Sequence, residues 1–94
     1  MTKNLKFSNN AGVYNGYDSG TLEAVSGEVV VTPAQTVVQV LLFPTEDASV
    51  KLNDSEKWIF LPAGMWTPIS IPTETFTVKV LAGSGDVHWQ GWFL

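Results

Sequence analysis

The 94 residues fit one domain, and a formal net charge of −4 with no arginine leaves no basic surface for nucleic-acid phosphates. Without cysteine, neither a disulfide framework nor a thiolate metal site supports the fold. Charged residues are 15% of the chain, against about 25% in a typical domain, so part of the surface must be Thr, Ser, Asn or apolar side chains. Two readings follow: a β-domain that uses Thr and Ser where a helical protein uses Glu and Lys, or a surface to be covered by partner subunits.

Residues 1–6 carry Lys3 and Lys6 with no apolar stretch behind them, which predicts no secretory signal peptide. The longest apolar run, 37–43, is interrupted by Gln39 and falls far short of the roughly 20 residues of a membrane helix. Residues 1–21 read as an extended arm. Asn9-Asn10, Asn15-Gly16 and Asp18-Ser19-Gly20 are turn signals, and Leu5, Phe7, Val13, Tyr14 and Tyr17 follow no helical period. A short strand is expected near 13–17.

Strand signals are dense from residue 22 to the end. Residues 22–25 and 28–32, joined by Ser26-Gly27, predict a hairpin. The near-continuous apolar stretch 36–43 predicts a strand buried on both faces. Residues 49–53 alternate, and Asn53-Asp54-Ser55 predicts a turn. A strand follows at 57–61, and Leu61-Pro62-Ala63-Gly64 suits a type I turn. The strand at 66–71 contains Pro68, which lacks an N–H and points to an edge or a bulge. Residues 75–81 alternate, Gly83-Ser84-Gly85 turns, and 86–93 closes the chain with a bend or bulge expected at Gly91. About eight short strands with regular turn signals predict an all-β antiparallel sandwich over 22–94. Period-2 placement predicts core positions at Val38, Val40, Leu42, Ile59, Leu61, Phe76, Val78 and Val80.

No catalytic set stands out. His88 is the single histidine and falls on the outward face of its strand, where a polar surface role is the plainer reading. The nine acids lie nearly all in or beside turns, where they bond to local backbone, and no cleft for paired-carboxylate chemistry is evident. Glu46-Asp47 and Asp54-x-Glu56 lie at opposite ends of one strand, roughly 17 Å apart, too far to share one calcium ion. No cofactor motif is present.

Trp58, Trp66, Trp89 and Trp92 are many for 94 residues. Core packing accounts for Trp58 and Trp89. Exposed tryptophans can stack on sugar rings or anchor a partner. Trp92-Phe93-Leu94 is a strongly apolar stretch, and the arm is too polar to hold itself in place. Both ends are therefore expected to dock onto a surface, with Phe7, Tyr14, Trp66, Trp92 and Phe93 as interface residues.

The segment Leu61-Pro62-Ala63-Gly64-Met65-Trp66-Thr67-Pro68-Ile69, followed by Phe76-Thr77-Val78-Lys79-Val80, Gly83-Ser84-Gly85 and a terminal Gly91-Trp92, resembles small β-sandwich virion proteins of tailed bacteriophages. These include capsid decoration or cement proteins. The resemblance covers roughly residues 27–94 and carries over no site residue. It implies a jelly-roll-like domain on the outer capsid surface, often a homotrimer, that locks neighbouring major capsid protein subunits together, with no membrane or nucleic-acid partner. The alternative is a carbohydrate-binding or host-attachment module that uses exposed tryptophans.

Overall fold

The computed structural model describes residues 16–93. They form eight strands: β1 (Gly16–Val25), β2 (Glu28–Val31), β3 (Gln39–Pro44), β4 (Ala48–Leu52), β5 (Ile59–Leu61), β6 (Thr67–Ile69), β7 (Phe76–Val80) and β8 (Gly85–Phe93). The strands lie in two antiparallel sheets, ordered β1-β8-β3-β6 and β2-β7-β4-β5. This is the all-β sandwich that the turn spacing predicts. β1 pairs with β8, β2 with β7, β3 with β6 and β4 with β5. The chain is thus one long two-stranded ribbon with the β4–β5 connection at its tip. Wrapping the ribbon brings β8 against β3 and β7 against β4. Residues 1–15, with the expected strand start at Val13 and the expected anchors Phe7 and Tyr14, lie outside the described residues, as does Leu94. Residues 16–21 form the first half of β1.

The inner faces make one core. Phe76, Val78, Leu42, Leu61, Val40, Val50 and Val87 are fully buried. Phe76 meets Trp89 edge to face, with ring centroids 5.5 Å apart. Of the expected core positions, Val38 and Ile59 are only half-buried. Ile59 sits at the margin, packed against the core. At Val38 the parity is set by an irregular entry. Val37 exchanges backbone hydrogen bonds with Thr73 at 3.0 and 2.8 Å, and Val38 N–H donates to Trp92 C=O at 2.7 Å. Regular alternation starts only at Gln39, so Val37, not Val38, fills the interior. For the same reason the stretch expected to be buried on both faces has one buried face and one half-buried one.

Two further expectations are corrected. Residues 22–25 and 28–32 do not form a hairpin: β1 and β2 belong to different sheets. The chain leaves the first sheet at an irregularity between Leu22 and Val25. Ala24 there takes a φ of 51° and Gly27 a φ of 87°, which turn the strand across to the other layer. The turn signal marks where the chain turns and not which strand it meets next. Gly91 carries no bulge either, since β8 keeps an unbroken register with both β1 and β3 around it. A Cβ at Gly91 would stand 2.8 Å from Val37 Cγ1, so the glycine is required by close packing. Pro68 does lie on an edge strand, as its missing N–H predicts.

Backbone ties close the two ends of the sandwich. At one end Asp47 Oδ1 accepts from Ala63 N–H, Asp86 Oδ1 accepts from Ala24 N–H, and Thr45 exchanges bonds with Asp86. At the other, Asn53 adopts a φ of 53° and bonds to Pro72 C=O and Glu74 N–H through its side chain.

Candidate functional site

Strand alternation gives each sheet an outward face, and the two are unlike. On the first sheet, outward residues form rows across the strands. Tyr17, Trp92 and Gln39 make one row; Ser19, Gln90, Leu41 and Pro68 make the next; Thr21, His88 and Phe43 make the third. None of these ten positions is Asp, Glu, Lys or Arg; the charge on this face is confined to Glu23 and Asp86, the next outward positions of β1 and β8 beyond the third row. On the second sheet the corresponding rows are Glu28, Lys79, Ser49 and Phe60, then Val30, Thr77 and Lys51. Lys51 and Lys79 place their ammonium groups 5.0 and 4.1 Å from the Trp58 ring centre. Trp58 is therefore half-buried on the outside beneath two cations, and not in the core as its sequence position suggests.

This first-sheet face carries Tyr17 and Trp66, whereas Phe60 is exposed on the second sheet. Tyr17 is 66% exposed and Trp66 46%. Trp66 sits just before β6, because the Pro62-Ala63-Gly64 turn brings the chain back beside β3. Gly64 takes a φ of 73°, and its N–H donates to Pro44 C=O at 2.8 Å, which fixes the turn to β3. The Trp66 ring then rests on Phe43 at 5.1 Å, and Phe43 in turn lies 6.0 Å from the His88 ring. Thr21 Oγ1 and His88 Nδ1 are 3.0 Å apart, so one imidazole nitrogen is engaged within the sheet. Ser19, Thr21, Trp66, His88 and Gln90 surround an open depression of about 320 Å³ on this face. Two residues along β8 from Gln90, at roughly 7 Å, the Tyr17–Trp92–Gln39 row forms the end of the face nearest Gly16 and Phe93.

Of the expected interface residues, Trp66 and Trp92 lie on this one face, toward opposite ends. Phe93 is half-buried, packs against the core and covers Gly16, where a Cβ would stand 2.8 Å from its ring. Phe43 and Tyr17 join the face without having been singled out. The available signal was strand parity, since Tyr17 shares its side of β1 with Ser19 and Thr21. Among the described residues no three His, Asp or Glu side chains come together as a metal site.

No family model matches the chain, and no curated protein matches it. Solved structures resemble the chain. A crystal structure of a protein of unknown function from Vibrio parahaemolyticus has a TM-score of 0.51 at 13% identity, over 79% of this chain and 72% of that one. A solution structure of a de novo designed double-stranded β-helix has a TM-score of 0.48 at 13% identity, over 83% of this chain and 99% of the design. At 13% identity the likeness to the Vibrio parahaemolyticus protein concerns the fold alone.

Proposed function

We propose that this protein is a bacteriophage virion structural protein: a capsid decoration subunit that binds the major capsid protein on the outer surface of the shell. We read its wrapped ribbon as a jelly roll and its assembly as a trimer. The observation that carries the proposal is the unequal charge of the two outward faces. A face that stays in water is well served by Lys and Glu, as on the second sheet. On the first sheet Glu23 and Asp86 lie at one end, and the three rows without a charge can be desolvated by a partner with little electrostatic loss. The Tyr17–Trp92 row is the part of that face assigned to docking. It lies beside Gly16 and Phe93, and Tyr17 presents a large amphipathic side chain of the type that anchors interfaces.

The test is co-sedimentation with capsids of the encoding phage assembled without decoration, together with the solution mass. The protein is expected to pellet with the shells, and Tyr17→Glu to stay in the supernatant while melting normally. Wild-type protein that stays in the supernatant, or a Tyr17→Glu variant that pellets as well as wild type, overturns the docking assignment. A monomeric mass both free and eluted from shells overturns the trimer.

A further inference from the structure

The depression beside the Tyr17–Trp92 row has a chemistry of its own. We propose that it binds a neutral saccharide, with Trp66 as the stacking platform and Gln90, Ser19 and His88 as the hydroxyl-pairing groups. The proposal does not rest on the docking assignment, which uses the Tyr17–Trp92 row.

Three observations carry it. First, Trp66 is held and yet open. Phe43 supports its ring at 5.1 Å, while 46% of the residue remains exposed. The apolar C–H face of a pyranose needs such a flat, presented aromatic surface. Second, the wall opposite is polar without being charged. Ser19 offers a hydroxyl, Gln90 an exposed amide, and His88 the nitrogen not engaged by Thr21. The side chains of Ser19 and Gln90 make no hydrogen bond to another described residue, so both are available to a ligand. A sugar hydroxyl both donates and accepts, and so do an amide, a hydroxyl and an imidazole taken together. Third, none of the seven lining residues is Lys or Arg. A phosphate, sulfate or carboxylate ligand would lack a counter-charge here, which selects against anionic sugars and nucleotides. At about 320 Å³ the depression is at the small end of ligand sites, about 300–1,000 Å³, and its open form suits one part of a longer glycan chain.

The measurement is an NMR titration of the full chain, following indole and side-chain amide N–H signals. The probes are maltohexaose, cellohexaose, and oligosaccharides from galactan and mannan, with heparin as the anionic comparison. At least one neutral probe is expected to shift the Trp66 indole and Gln90 amide signals saturably, leaving Trp58 unmoved. Trp66→Ala should raise the Kd by roughly ten-fold or more, as for a central aromatic anchor, with an unchanged melting temperature. Gln90→Ala should weaken binding less, and Tyr17→Glu not at all. No saturable shift with any neutral probe, tighter binding of heparin, or undiminished binding by Trp66→Ala would each overturn the proposal. So would Trp66-dependent binding of a proline-rich peptide in place of sugar.

Discussion

Phe76 is fully buried and meets Trp89 across the sandwich, so its side chain joins the two sheets. Phe76→Ala is expected to lower unfolding free energy by about 3–5 kcal/mol in urea titration. Gly91→Ala is a subtler test of the same core. The added methyl would press on Val37, a stiff β-branched side chain with no exposed surface, and should cost about 1–3 kcal/mol. A neutral result would mean that the Val37 segment yields easily. Asn53→Ala removes side-chain bonds to Pro72 and Glu74 and a residue suited to positive φ, so it should cost about 1–3 kcal/mol. Phe76 was legible in the sequence because 76, 78 and 80 alternate cleanly with polar neighbours. Gly91 was legible only as an exception, since a glycine needed for close approach and a glycine that bends a strand look alike. Trp58 misled because a large apolar residue can also lie outside beneath lysine stems, and nothing in its local pattern reports cations from two other strands.

Strand existence was easier to read than strand partners. Periodicity is a local property and fixed the faces of β4, β7 and β8, and Pro68 placed β6 at an edge. The link from β1 to β2 was misread, because whether a short turn returns within a sheet or crosses between sheets depends on backbone angles at Ala24 and Gly27. Those angles yield a prediction with a sign change. Ala24 holds a φ of 51°, which suits glycine better than any branched residue. Ala24→Gly should leave stability unchanged or raise it by up to about 1 kcal/mol, whereas Ala24→Val should lower it by about 1–2 kcal/mol. Equal urea midpoints for the two variants would show that the crossing is not strained. The face that carries Trp66 and Trp92 was only half legible. Trp66 and Trp92 could be named as exposed candidates, but their placement on one sheet required the pairing of β8 with both β1 and β3.

Across the whole molecule, the ribbon puts the first and last described strands side by side. Gly16 stands directly opposite Phe93 in the β1–β8 ladder. In the order of its contacts the sandwich is therefore a ring, interrupted where β8 ends and β1 begins. A linker of roughly two to five residues from Phe93 back to Gly16 would make that junction an ordinary hairpin. New ends could then be opened at Ser84, in the exposed turn between β7 and β8. Such a circular permutant is expected to keep the native far-UV spectrum and a cooperative melt, because each strand retains its neighbours. A permutant that fails to fold would show that the ladder of pairings alone does not specify the fold. Success would mean that the shape of this protein belongs to its ladder of pairings, and that the point at which the chain enters that ladder is free to change.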